Sequence, residues 1–301
     1  MTGVQTCALP ILGIDLGGTK IETIVINDAF QVVERKRIAT NREEGYDAIL
    51  QRIVNLAKEL IEIGNIEGPV GICTPGAIDY KTGTLKNSNT VCLIDKPLQS
   101  DLESALSLPL LMENDANCFA LAEAILGAAK DYRLVFGVVL GTGCGAGIVI
   151  NKNIHRGPNH ISGEWGHHVL YPGGRDCYCG NKGCAESYIS GTALEAEWKA
   201  LTGEFLRATD IIDSGVYKSH PHWKDTFIEN FGRALANVMD ILDPDAIILG
   251  GGLSNMDILY TEGRDAAYDA SFSENMVTPI IKNKLGDSAG VFGAAMLGDY
   301  I

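Results

Sequence analysis

Gly13-Ile14-Asp15-Leu16-Gly17-Gly18-Thr19-Lys20 begins as a phosphate loop would and then departs from one. The order is Thr-Lys rather than Lys-Ser/Thr, and Ile21 to Ile26, rich in β-branched residues, favour a strand over a helix. The stretch reads as a β-hairpin whose turn, Gly17 to Lys20, presents backbone N–H groups to a phosphate, with glycines permitting close approach. Asp15 sits where it can hold magnesium, directly or through water. A tight hairpin without a ligand would look the same, so the motif alone decides little.

A second such unit starts at Leu134. Val135 to Leu140 reads as a strand, Gly141 to Gly147 as a turn and Ile148 to Ile150 as the returning strand. Leu140-Gly141-Thr142-Gly143-Cys144-Gly145-Ala146-Gly147 spends four glycines in seven positions, a conformational cost that a mere connector would not need. Two strand–glycine turn–strand units imply a weak internal duplication, two α/β lobes with a polyphosphate clamped in the cleft between them. A third cluster, Leu249-Gly250-Gly251-Gly252-Leu253-Ser254, falls at a strand-to-helix junction, with Gly251 and Gly252 placed to lie against a base or ribose and Ser254 as a helix N-cap.

Around these turns, strands are expected at Ile11–Leu16, Gln31–Ile38, Val70–Cys73, Leu110–Met112 and Ala246–Leu249. Helices are expected at Tyr46–Ile63, where Ile49, Ile53, Leu56 and Leu60 keep helical spacing, at Leu98–Leu106, at Ala116 to about Ala129, over much of Thr192–Leu242 with a mobile polar link near Gly215 to His222, and at Ser288–Leu297.

The formal net charge of −14 argues against nucleic acid and against an anionic membrane face, since no basic excess neutralises phosphates. A nucleotide would be held locally, by N–H groups, a few lysines and a divalent cation. No apolar run is long enough to span a bilayer, and Met1 to Pro10 lack a basic n-region. Residues 1–10 read as a non-native or disordered leader. Cys7, Cys73, Cys92, Cys118 and Cys144 show no framework spacing, which points to a reducing cytoplasm.

Glu113-Asn114-Asp115 closes a strand before a helix. Asp115 can be a helix N-cap, or the group that accepts the hydroxyl proton in phosphoryl transfer to an alcohol; spacing leaves both open. Gly163-Glu164-Trp165-Gly166-His167 and Cys177-Tyr178-Cys179-Gly180-Asn181-Lys182-Gly183-Cys184-Ala185-Glu186 supply three cysteines and a histidine. His167, Cys177, Cys179 and Cys184 form a closed tetrahedral set for zinc, with Glu164 and Glu186 flanking it as acceptors for vicinal hydroxyls. His167 can bind metal through one ring nitrogen and ligand through the other. Asn87 and Asn89 add amides that read sugar hydroxyls or merely bond their own turn. Trp165 is expected to pack rather than stack on a ligand.

Gly13 to Lys20, Glu113 to Asn117, Leu140 to Gly147, Gly163 to His167, Cys177 to Glu186 and Asp243 to Gly252, in this order, resemble the ROK (repressor, open reading frame, kinase) sugar kinases. The likeness runs from Ile11 nearly to the end. Lys86-Asn87-Ser88-Asn89-Thr90 and Cys177-Tyr178-Cys179-Gly180 look most like fructokinases of the mannokinase type, with the N-acetylglucosamine kinases close behind through Glu113 to Ala124. The resemblance implies the actin-like ATPase (ribonuclease H-like) fold, an α/β class with two lobes and an interlobe cleft. It divides the chain into the leader 1–10, a smaller N-terminal lobe of 11–117 plus 288–301, and a larger lobe of 118–287 with the zinc loop. It implies phosphorylation of a hexose, fructose first, at its 6-hydroxyl, with ATP and magnesium and with a structural zinc.

In that reading Asp115 is the general base. Gly76, Asn89, Asn114, Glu164, His167 and Glu186 contact sugar. Asp15, Gly17, Gly18, Thr19, Lys20, Gly141, Thr142 and Gly143 attend the phosphates, and Gly251 and Gly252 the adenosine. A homodimer is implied. A repressor of the same family would carry a winged-helix domain before the first hairpin, where ten residues stand here; the charge also disfavours DNA. A catalytically idle sugar-binding protein is disfavoured by the intact Asp115 and hairpins.

Overall fold

The computed structural model describes residues 11–79, 81–86, 88 and 90–298. The leader, Asn87 and Asn89 lie outside the described residues. Contacts divide the chain into two compact units, Met1–Cys118 with Ser288–Ile301, and Phe119–Asp287.

In the first unit β1 (Ile11–Leu16), β2 (Lys20–Ile26) and β3 (Val32–Ala39) form an antiparallel meander. Helix α1 (Tyr46–Gly64) buries Ile49, Ile53, Leu56 and Leu60, the stripe its spacing predicts, and ends at Asn65 in the left-handed region. Strand β4 (Val70–Thr74) joins β1 in parallel. A small hairpin follows, β5 (Ala77–Asp79) with β6 (Thr84–Lys86), then α2 (Leu98–Leu106). Strand β7 (Leu110–Asn114) completes the sheet beside β4. The strand order is β3-β2-β1-β4-β7.

Helix α3 (Asp115–Ile125) carries the chain from one unit into the next. It begins a residue before the expected start and stops four residues short of Ala129. Strand β8 (Leu134–Leu140) pairs antiparallel with β9 (Cys144–Ile150), which pairs with β10 (Asn153–Ile154). After the cysteine-rich loop come α4 (Glu186–Ile189), α5 (Gly191–Thr202), α6 (Ala208–Ser214) and α7 (Pro221–Leu242). Strand β11 (Ala246–Gly250) lies parallel to β8, α8 (Glu262–Ala270) follows, and β12 (Ile280–Lys282) lies parallel to β11. The order is β10-β9-β8-β11-β12. The two sheets therefore share one topology, an antiparallel meander of three followed by two parallel strands, which is the duplication that the paired glycine turns suggest. Helix α9 (Ala289–Ala295) belongs to the first unit again.

Each unit has its own core. Leu12, Ile14, Ile53, Leu60 and Ile72 fill the first; Phe227, Phe231, Trp198, Trp223 and Leu249 fill the second.

Three expectations are corrected. The turn after β8 is shorter than Gly141 to Gly147, because Gly145 and Gly147 already pair with Val139 and Gly137 inside β9. Ser254 does not cap a helix; its hydroxyl donates to the Gly251 carbonyl at 2.7 Å within a 3-10 turn, Gly252–Asn255. The link near Gly215 is a 3-10 turn, Val216–Ser219, anchored by buried Tyr217. No helix among the described residues is long and apolar enough to cross a membrane.

Candidate active site

In the first unit the candidate groups collect at the carboxyl ends of parallel strands, where open α/β sheets bind ligands. Register places Asp15 opposite Cys73, Cys73 opposite Glu113, and Thr74 opposite Asn114. The turn between β1 and β2 is closed by Gly17 N–H on the Lys20 carbonyl at 2.9 Å. Buried Thr40, which the sequence reading did not single out, secures it twice. Its hydroxyl donates to the Gly17 carbonyl at 2.7 Å, and its N–H to the Thr19 carbonyl at 3.0 Å. Lys20 leans toward Glu22 at 3.5 Å. Burial would raise the Glu22 carboxyl, but the Arg37 and Arg35 guanidiniums outweigh it and hold the group below its ordinary value.

Asp15 moves the other way. Burial, then the Asp115 charge and that of Glu22, raise its pKa from 3.8 to about 6, against weaker lowering by Cys73 and Lys20. Negative charge concentrated on a half-buried carboxyl suits a cation site. Asp115 is exposed on the first turn of α3, and its Oδ1 accepts the Ala116 N–H at 2.9 Å. The helix cap is its neighbour: Asn114 Oδ1 accepts the Asn117 N–H at 2.7 Å, the residue spacing of an N-cap. The capping alternative for Asp115 is thereby taken by Asn114, whose oxygen is committed to the helix. Glu113 Oε1 accepts from Asn114 N–H at 3.0 Å and from Asn117 Nδ2 at 2.9 Å. Gly76 stands between β4 and β5 at φ 91°.

In the second unit the β8–β9 turn is Gly141 to Gly143. Gly251, at φ 78°, brings its backbone against β8; a Cβ there would stand 2.4 Å from the Leu140 carbonyl oxygen, so only glycine fits. The loop from Trp165 to Glu186 folds on itself through Leu170 N–H to the Gly183 carbonyl at 2.7 Å and Ala185 N–H to the His168 carbonyl at 3.0 Å. Trp165 is buried, and its indole N–H donates to the Ala234 carbonyl at 3.1 Å, so it packs as expected.

One ligand atom from each of His167, Cys177, Cys179 and Cys184 lies within 4.8 Å of the others. Cys177 Sγ is 3.6 Å from His167 Nδ1, and Cys179 Sγ is 3.7 Å from Cys184 Sγ. A tetrahedron with metal–sulfur bonds of about 2.3 Å has sulfur–sulfur edges of roughly 3.8 Å, so the set fits a closed metal site. The thiols are unequal: burial raises Cys184 and Cys177, whereas the Asn181 backbone N–H lowers exposed Cys179. The other ring nitrogen, Nε2, meets the Tyr178 hydroxyl at 3.1 Å, with the rings edge to face. His167 therefore reaches a second ligand only where the phenol moves aside. Tyr178 and Glu186 line a cavity of about 470 Å³ with Ser190, Thr192 and Glu197. Glu164 is exposed one turn before His167, while Glu186 is buried with Oε2 on the Cys144 N–H at 2.8 Å. That last contact has no signature in motif spacing.

Comparison with known proteins settles the ancestry of these turns and this loop. The ROK family model matches residues 11–299. The chain belongs to the ROK family. Relatives 37–39% identical are named N-acetyl-D-glucosamine kinase. That of Mannheimia succiniciproducens is 38% identical over 301 residues, covering 95% of this chain and 98% of its own. The crystal structure of a ROK hexokinase from Thermus thermophilus aligns with a TM-score of 0.86 at 30% identity, over 97% of this chain and 98% of that one. A ROK family glucokinase from Streptomyces griseus, in complex with glucose and AMPPNP, aligns at 0.80 and 28%, over 96% and 99%. The chain thus has the actin-like ATPase fold of ROK kinases.

Proposed function

We propose that this protein, an ATP-dependent sugar kinase of the ROK family, transfers the γ-phosphoryl group of ATP to the 6-hydroxyl of a hexose, with fructose as the preferred acceptor. The observation that carries the chemistry is the convergence of Asp15 and Asp115 at the ends of β1 and β7, on either side of β4, beside a turn shaped for phosphate. Asp115 is exposed on the first turn of α3, as a base that meets a substrate hydroxyl has to be. It accepts the proton as the sugar oxygen attacks phosphorus and ADP leaves. The N–H groups of Gly18 and Thr19 and of Thr142 and Gly143 hold the phosphates, with Gly17 closing the first turn, and Gly251 and Gly252 lie by the adenosine. Magnesium, where bound through Asp15, neutralises polyphosphate charge.

The acceptor is held by Glu164 and Glu186, with Asn114, Gly76, Asn89 and His167 completing the set. Zinc on His167, Cys177, Cys179 and Cys184 is structural, since four protein ligands leave no open position. The fructose reading rests on the likeness of Lys86-Asn87-Ser88-Asn89-Thr90 and Cys177-Tyr178-Cys179-Gly180 to fructokinases of the mannokinase type, and is supported by the Tyr178 hydroxyl 3.1 Å from His167 Nε2. A second reading, N-acetyl-D-glucosamine, is favoured by the names of the relatives at 37–39% identity. A coupled assay with ATP and a panel of fructose, mannose, glucose and N-acetylated hexosamines, ranked by kcat/KM, separates the two. Turnover on none of these sugars would defeat the kinase reading itself. The implied homodimer is checked by light scattering.

A further inference from the structure

Glu186 flanks the acceptor side, yet its bonded partner is Cys144, where the β8–β9 turn enters β9. Its Oε2 accepts the N–H of Cys144 at 2.8 Å, and the side chain is 9% exposed. A Cβ on Gly143 would stand 2.8 Å from that same oxygen, so the turn residue must be glycine for the carboxylate to reach the strand. Two more contacts come from the same side. Gly191 N–H donates to the Gly141 carbonyl at 2.8 Å. The Thr142 carbonyl accepts the Thr192 N–H at 3.2 Å and its hydroxyl at 3.0 Å.

Peptide planarity gives these bonds a direction. In a trans peptide the C=O of one residue and the N–H of the next point opposite ways. With the Gly141 and Thr142 carbonyls turned toward the start of α5, the N–H groups of Thr142 and Gly143 are turned away from it. The next N–H, that of Cys144, is the one Glu186 takes, which fixes where the outward run ends. The start of α5 therefore sets the face on which the donors lie, and the carboxylate sets where their run ends.

We propose that Glu186 is a positioning residue for the phosphate donor: by holding the Cys144 N–H it fixes the Gly143–Cys144 peptide and so anchors the end of the turn whose Thr142 and Gly143 N–H groups, turned outward by the start of α5, are offered to nucleotide phosphates. The proposal rests on the reading of this turn as a phosphate site. It also accounts for a buried negative charge beside a polyphosphate, which electrostatics alone would disfavour.

The test is calorimetric titration of the full zinc-loaded chain with magnesium–AMPPNP, without sugar. Glu186→Ala should weaken binding roughly ten- to hundredfold. Glu186→Gln keeps an acceptor oxygen for Cys144 N–H and removes the charge, so it should bind the nucleotide within about threefold of wild type while still raising the KM for sugar. Thr192→Val, which removes one bond to the Thr142 carbonyl, should lose a few-fold and gives the answer if the alanine variant does not fold. A purely structural role would lower thermal stability in all three without restoring nucleotide affinity in the glutamine variant. Wild-type binding of AMPPNP with unchanged affinity in Glu186→Ala, or in Thr192→Val where alanine fails to fold, overturns the proposal. Absence of AMPPNP binding by the wild type overturns it together with the phosphate reading.

Discussion

Two carboxylates a few residues from strand ends are asked to do opposite things. Asn114 supplies the i to i+3 cap bond of α3, and Asp115 stands exposed on its first turn. Asp115→Asn keeps the shape and removes the base. We expect kcat to fall about 10²- to 10⁴-fold, with AMPPNP and sugar affinities within about threefold of wild type. Full kcat in that variant would exclude Asp115 as the base. Asp15 is pushed to about 6 by burial and by Asp115, above its ordinary 3.8. The native state then binds the proton more tightly than the unfolded chain. The cost is absent below about pH 4, grows as pH rises toward 6 and is complete above it, up to ~3 kcal/mol. Asp15→Asn should therefore be more stable than wild type toward urea at pH 8 without added magnesium, and no more stable near pH 4. Equal stability at both pH values would show that the fold does not strain this carboxyl.

At the scale of elements, the cysteine-rich loop is where chemistry was most legible. Ligand type and spacing alone group His167, Cys177, Cys179 and Cys184, and the fold brings their donor atoms together, because a metal set is defined by donor atoms rather than by packing. Removing the proposed zinc, or changing Cys179 to Ser, should lower the melting temperature and weaken sugar binding, since the loop backbone that carries Glu164 and Glu186 would lose its tether. Metal release by a chelator, followed by titration with sugar, checks this; unchanged sugar affinity in the metal-free chain would uncouple the loop from the acceptor. Other elements were less legible. The strands β5, β6, β10 and β12 are three residues or fewer and have too little periodicity to announce themselves. Gly145 and Gly147 read as turn because glycine favours turns, but their partners across β8 hold them in a strand. Thr40, Tyr178 and the Cys144 contact of Glu186 depend on tertiary approach, for which linear spacing carries no signal.

For the whole molecule, the repeated sheet order and the charge both bear on the nucleotide. The same meander-plus-parallel topology in each sheet supplies a glycine turn at the same place twice, which a duplicated element does without any further invention. The whole chain carries a formal net charge of −14, and Lys20, at the end of the first turn, leans on Glu22. Long-range electrostatics therefore opposes the approach of an anionic magnesium–nucleotide, while a neutral hexose feels nothing. Salt screens that repulsion, with a Debye length of about 10 Å at 0.1 M falling from about 30 Å at 0.01 M. Raising ionic strength from about 10 to about 200 mM should speed nucleotide association by a few-fold and leave hexose association unchanged. Stopped-flow binding of a fluorescent ATP analogue, with hexose binding as the control, reads this directly. A nucleotide rate that falls with salt would mean that positive groups local to the turns outweigh the charge of the chain.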